Sequence, residues 1–294
     1  MFEKVEKNIY LVRGENNGRF PNAHSLLVTG EKTALIDTGC GTGVLETVKK
    51  KYPPDMVIYS HTHPDHCSGS AFFAPKVLWG PEQSRLTTGD LERLSVRFIE
   101  SDLRNDWIAY FADSAGFKDF STGNYYDDGH HFHCGETLVE AVHAPGHTDD
   151  HYCFYLPHEK IMVTTDIDFT AFGPWYGNPE SDLDTFIRSI QRVGHYDINT
   201  VVSSHVGVIR EGIQEAFNGF LEIIEQREKR ILDFLDRPRS LEDFVQAALI
   251  YRAYKGRRAD ILRCWEKEMV SKHLERLQSR GDVTMVERSM YVRK

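Results

Sequence analysis

Residues 1–212 predict a layered α+β body, and residues 213–294 predict a helical tail with a winged-helix-like ending. Three observations carry that expectation. Between residues 9 and 204, short apolar runs of strand length alternate with Gly-, Asn- and Pro-rich turns. Four of these runs lead into a His or an Asp, the ligand types of metal chemistry. From about residue 212 the texture changes to long stretches with charged faces.

In order, Ile9–Val12, Ser25–Thr29 and Thr33–Asp37 read as strands, Val44–Tyr52 as a helix stopped before Pro53-Pro54, and Met56–Ser60 as a strand running into His61. Residues 82–120 read as a polar, helical, cap-like insertion or an extra packing layer. Strands return at Phe132, 138–142, 152–156 and 160–164, followed by a helix from Ser181 to Val193 and a strand over 200–204. In the tail, helices are expected over 216–235, from Ser240 to about Tyr254, and over 261–280, before a hairpin over 283–293.

Composition narrows the class. The 294 residues are 40% hydrophobic and 27% charged, which excludes disordered, collagen-like and coiled-coil classes. No apolar run approaches the roughly 18 residues needed to span a bilayer, and the acidic start lacks the features of a signal peptide, so the expected compartment is the cytoplasm. Five scattered cysteines without a Cys-x-x-Cys pair fit reducing conditions. Net charge is −9, yet residues 226–294 carry 17 Lys/Arg against 11 Asp/Glu. The acidic body does not attract nucleic acid, so any such partner would have to use the tail.

The chemistry concentrates in His61-Thr62-His63-Pro64-Asp65-His66, three imidazoles and a carboxylate within six residues at a strand end. Protonated imidazoles this close repel one another, whereas a divalent cation such as zinc, iron or manganese welcomes them. Gly146-His147, Asp166 and His205 each follow an apolar run in the same manner, and ligands at strand ends on one sheet edge converge.

In this order the motifs resemble the metallo-β-lactamase superfamily, over about residues 5–210. The resemblance implies a four-layer αββα sandwich and two divalent metal ions, zinc first with iron or manganese as alternatives. It implies that His61, His63 and His147 hold one metal, that Asp65, His66 and His205 hold the other, that Asp166 bridges, and that Asp37 stands behind, orienting a ligand. The implied reaction is hydrolysis by a hydroxide shared between the metals, with Asp65 holding or shuttling the proton. His63 stands where flavo-diiron members of the superfamily have a glutamate.

For substrate, Phe169, Phe172, Trp175 and Tyr176 after Asp166, with His151 nearby, predict an aromatic pocket suited to a carboxylic ester, thioester or lactone. Phe169 stands where homoserine-lactone-type lactonases carry a tyrosine, and His205 lies in Ser-Ser-His-Val-Gly rather than the family's usual Pro-Gly-His-Gly. The alternative substrate is single-stranded RNA, gripped by Arg252, Lys255, Arg257 and Arg258 with Tyr251 and Tyr254 interleaved. The tail could instead cap the site or join a second copy in a homo-oligomer. His130, His131 and His133 read as a turn into a strand, with an additional metal site as the alternative.

Overall fold

The computed structural model describes the whole chain except residues 87–88 and 287–288 and the side chain of Arg257. Strands β1 (Phe2–Glu6), β2 (Ile9–Val12), β3 (Ser25–Val28) and β4 (Ala34–Ile36) form an antiparallel meander, then helix α1 (Thr42–Lys51) crosses to β5 (Met56–Ile58). After the one-turn helix α2 (Pro64–Cys67) come β6 (Leu78–Pro81), the insertion helices α3 (Leu91–Phe98) and α4 (Arg104–Ser114), and β7 (Asn124–Tyr126). These seven strands make one sheet, in which β4 to β7 run parallel.

The second sheet holds β8 (His131–Cys134), β9 (Thr137–His143), β10 (Tyr152–Leu156) and β11 (Ile161–Thr165), then, after helix α5 (Leu183–Gly194), β12 (Thr200–Ser203) and β13 (Gly207–Ile209). The tail consists of α6 (Ile213–Phe234), α7 (Leu241–Ala247), α8 (Ala259–Arg280) and a hairpin of β14 (Val283–Val286) and β15 (Met290–Arg293).

Side-chain alternation sorts residues between layers. Leu26 and Val28 of β3 point between the sheets to meet Phe154 and Leu156 of β10, whereas Leu27 points outward against α1 residues Val44, Leu45 and Val48. From the other sheet, Cys153 and Tyr155 face α5 and α6. Helices therefore cover both outer faces, giving the αββα order. Val142, Met162 and Val201 share one buried cluster with Phe217, Ile224, Met269 and Leu274, so tail helices complete the outer layer of this sheet.

The expected helix boundary that moves most lies in the tail. The helix starting after Ser240 ends at Ala247, not near Tyr254. Ala248 turns left-handed, and the buried Glu266 carboxylate accepts from Ile250 N (2.9 Å) and Tyr251 N (2.8 Å), amides a longer helix would have used. All five cysteines are free and buried. Among the described residues no helix is long and apolar enough to cross a membrane.

Candidate metal centre and adjoining cavity

Parallel pairing of β4 with β5, and of β11 with β12, aligns the carboxyl ends of these strands on one edge of the sandwich. The loops leaving β5, β9, β11 and β12 carry His61–His66, His147, Asp166 and His205. These seven side chains meet in two groups, His61, His63, His147 and Asp166 in one and Asp65, His66 and His205 in the other. Asp166 faces both. Its Oδ2 lies 3.1 Å from His147 Nε2 and 3.6 Å from His61 Nε2, while Oδ1 lies 2.8 Å from His66 Nε2 and 3.4 Å from His205 Nε2. Asp65 Oδ2 stands 3.6 Å from His205 Nε2 and 3.8 Å from His66 Nε2.

Ring nitrogens turned away from this centre are anchored behind it. His66 Nδ1 meets Asp37 Oδ2 at 2.7 Å, and Asp37 also accepts from Ser60 N and Oγ. His61 Nδ1 meets Ser60 Oγ, His147 Nδ1 the Trp175 carbonyl (2.9 Å), and His205 Nδ1 the Gly18 carbonyl (2.6 Å). Such contacts fix ring orientation and tautomer, as in metal sites generally.

The buried centre is electrostatically polarised. Burial, together with the neighbouring imidazoles, pushes His61 and His63 well below the usual histidine range. Burial disfavours ionisation of Asp166, but His66 and His147 outweigh it and hold the carboxyl well below its ordinary value. Burial likewise opposes a charge on His205, which the Asp166 carboxylate beside its Nε2 nonetheless raises to about 9. Among the described residues, buried His61 Nε2, His66 Nε2 and Asp166 Oδ1 have no hydrogen-bond partner, the last two lacking hydrogen-bond geometry despite their proximity. Polar atoms are rarely left so when buried. Five imidazoles and two carboxylates aimed at one volume form a donor set that fits divalent cations.

Two glycines make the geometry attainable. A Cβ on Gly39 would sit 1.4 Å from the Asp65 carbonyl, so only glycine lets the turn after β4 lie against the metal-type loop. Gly146 has φ +120°, and a Cβ there would meet Phe186 N at 2.2 Å. Asp37 (φ 61°) and Thr165 (φ 47°) adopt left-handed backbone, strain of the kind concentrated at functional sites.

A cavity of about 430 Å³ opens onto His63, Asp65, His147, Asp166 and His205. Its apolar wall comes from Phe98, Trp107 and Phe111 of the insertion, Phe172 and Trp175, and Leu262 and Trp265 of α8. Phe172 and Trp175 therefore reach it, but three other expected pocket residues do not. His151 is buried behind the centre, its ring nitrogens bound to the Ala144 carbonyl and Thr165 Oγ1. Phe169 turns onto Phe217 and Phe220 of α6. Tyr176 is wholly buried, its hydroxyl taken by Arg227 and His273. The tail tyrosines are likewise engaged: Tyr251 accepts from Trp175 Nε1 (2.7 Å), and Tyr254 donates to the Val245 carbonyl. His131 and His133 project outward from β8, while His130 leans on Trp79 and Phe132.

Sequence reasoning missed three supporting residues. The Asn178 amide meets His63 Nε2 at 2.7 Å, leaving Nδ1 turned toward His147. Arg97 of α3 donates to Thr62 Oγ1 (2.7 Å), to Asp150 and to Glu180, and Asp150 in turn accepts from Thr62 N. Buried Arg227 of α6 donates to the Phe172 and Pro174 carbonyls, holding the segment whose Trp175 carbonyl orients His147. None of the three stands in a motif; an aromatic-rich segment followed by a lone buried-type Asn was the available signal for Asn178.

Comparison with known proteins agrees with this architecture. The model of the metallo-beta-lactamase superfamily matches residues 18–205. The lactamase-like protein ptaB of Pestalotiopsis fici is 28% identical over 82% of this chain and 68% of its own. An atrochrysone carboxyl ACP thioesterase of Emericella nidulans is 27% identical over 80% of this chain and 67% of its own. A crystal structure of a metallo-beta-lactamase family protein from Thermus thermophilus superposes with a TM-score of 0.75 at 20% identity, covering 99% of this chain and all of that one, and so shares its fold. With a metal-competent His/Asp cluster at the expected edge of an αββα sandwich, the chain belongs to the metallo-beta-lactamase superfamily and is a hydrolase of that superfamily.

Proposed function

We propose that the enzyme hydrolyses acyl thioesters, using two divalent cations, zinc first among them. The observation that carries this reading is the aromatic cavity opening directly onto the His/Asp cluster, a shape that takes an apolar acyl group and delivers its carbonyl to that cluster. Relatives named as ACP thioesterases point the same way. His61, His63 and His147 would hold one cation, Asp65, His66 and His205 the other, with Asp166 between them. When bound, such cations activate water at neutral pH and polarise a carbonyl oxygen.

The chain's own residues account for the rest. Phe98, Trp107, Phe111 and Trp265 seat the acyl group and exclude bulk water. Asp65 Oδ2 takes the proton of the attacking water and returns it to sulfur as the C–S bond breaks, so the products are a carboxylic acid and a free thiol. His66 and His205, flanking that oxygen, keep the carboxylate oriented.

Thiol release from benzoyl- and octanoyl-N-acetylcysteamine tests this, beside an aryl ester, a lactone and labelled single-stranded RNA. Expected is thioester turnover that a chelator removes and added zinc restores. Cleavage of RNA alone, or turnover of the lactone alone, would replace the thioester reading.

A further inference from the structure

The cavity is apolar along most of its wall, yet two guanidinium groups line it near its opening, Arg19 and Arg258. Arg19 is exposed, Phe20 beside it is 36% exposed, and Arg258 is half-buried, whereas Trp107, Phe111 and Trp265 are buried deeper in. Arg258 is held in place. It donates to the Tyr110 hydroxyl at 3.0 Å, and its guanidinium carbon lies 5.1 Å from the Tyr110 ring centroid and 5.5 Å from that of Phe20. Those rings stack on one another, 6.1 Å apart and 20° from parallel.

Neither Arg19 nor Arg258 pairs with a carboxylate among the described residues. Arg97, Arg276 and Arg280, by contrast, each take at least one. A guanidinium has five N–H donors in a rigid fork, and Tyr110 uses one of them. In a chain of net charge −9, two such cations on the wall of a largely apolar cavity have no carboxylate partner among the described residues. Their chemistry calls for an oxyanion brought by the ligand.

We infer that Arg258 and Arg19 form an oxyanion-binding subsite at the cavity opening, so that the preferred substrate carries a carboxylate or phosphate in addition to its thioester. This rests on the thioester reading above. The anion has two sources, a carboxylate on the far end of the acyl group or a phosphate on the thiol arm.

Three substrates distinguish them: benzoyl-N-acetylcysteamine, which is neutral, 4-carboxybenzoyl-N-acetylcysteamine, with the anion on the acyl group, and benzoyl-coenzyme A, with phosphates on the arm. Wild type is expected to favour at least one anionic substrate over the neutral one. In Arg258→Met that preference, taken as the ratio of kcat/KM values, falls by about tenfold or more, mainly through KM, as loss of a charge-assisted hydrogen bond implies. Exposed Arg19→Met should reduce the same ratio, which keeps the test valid if the half-buried variant folds poorly. Equal losses on all three substrates, or no anion preference in wild type, overturn the subsite.

Calorimetric titration with terephthalate and with 4′-phosphopantetheine separates the two readings. If no thioester is turned over, but either anion binds wild type and not Arg19→Met, the subsite stands and the thioester reading fails. If no thioester is turned over and neither anion binds, both fail.

Discussion

Asp166 divides its carboxylate between two pairs of imidazoles, Oδ2 toward His61 and His147 and Oδ1 toward His66 and His205. An amide in its place offers one weakly basic oxygen and a donor that metal ions reject. Asp166→Asn should therefore lower bound metal from about two ions per chain toward one, counted by elemental analysis after dialysis; an unchanged count refutes the bridging role. Asn178→Ala removes the group beside His63 Nε2 while leaving all seven donors in place. Metal affinity should drop on the order of 10- to 100-fold, the effect of removing an orienting partner, read by competition with a chromogenic chelator. The contrast shows what is legible. The seven converging side chains stand in short strings after apolar runs, where residue type and spacing declare them. Asn178 lies 115 residues from its partner in sequence, and only the aromatic-rich segment before it sets it apart from other asparagines. His24 shows another such limit, since its Nδ1 accepts from Gly14 N and so requires a neutral ring. Burial, followed by repulsion from Arg13, lowers it to about 4. The unfolded chain then binds the extra proton between about pH 6.5 and 4. Stability should be full above that window and fall as pH drops through it. His24→Asn, whose Oδ1 can accept the same bond, should flatten that part of a Tm-against-pH profile.

The strand β10 is easy to read in the sequence and β6 is not, for a physical reason. Tyr152–Leu156 is buried on both faces and so is a continuous apolar run, whereas Leu78–Pro81 holds Gly80 and Pro81 and pairs only briefly with its neighbours. Helix α7 reads too long because the feature that stops it, the Glu266 carboxylate, arrives from another helix. The insertion shows the same dependence on tertiary partners. Leu91, Leu94 and Phe98 mark the apolar face of α3, but Arg97 decides how the helix is fastened. Its guanidinium bridges Asp149, Asp150 and Glu180 and touches Thr62, between His61 and His63. Arg97→Met would leave the wholly buried Asp150 without its cation, a loss of about 3–5 kcal/mol when one partner of a buried pair is removed. Expected is a fall in Tm on the order of 10 °C, with faster proteolysis confined to residues 82–120. Unchanged Tm and protease resistance would show that apolar packing alone seats the insertion.

The tail reads in sequence as a separable unit, because its charge balance and helical texture differ from those of the body. Packing gives it a different relation to the body. Phe217, Phe220 and Ile224 of α6, with Met269, Val270 and Leu274 of α8, lie in one cluster with Val142, Met162 and Val201 of the second sheet. Arg227 grips the carbonyls of Phe172 and Pro174, Tyr251 takes the Trp175 indole, and Trp265 stands edge-on to it at 5.3 Å. The segment 172–176 thus borrows its conformation from the tail, and through the Trp175 carbonyl so does His147. We propose that residues 1–212 do not constitute an independently stable catalytic unit. Each Leu, Ile or Phe of the sheet cluster that loses its cover forfeits about 1.5–3 kcal/mol, and only a few such losses exceed the roughly 5–15 kcal/mol by which a domain is ordinarily stable. A chain ending at residue 212 should be insoluble, or soluble with lost near-ultraviolet dichroism and strong dye binding. Supplying 213–294 as a separate chain during refolding should restore the signal if the tail is the missing layer. A truncated protein with native dichroism and undiminished thioester turnover would instead make the tail an accessory, and would remove Tyr251, Arg258, Leu262 and Trp265 from any part in substrate binding.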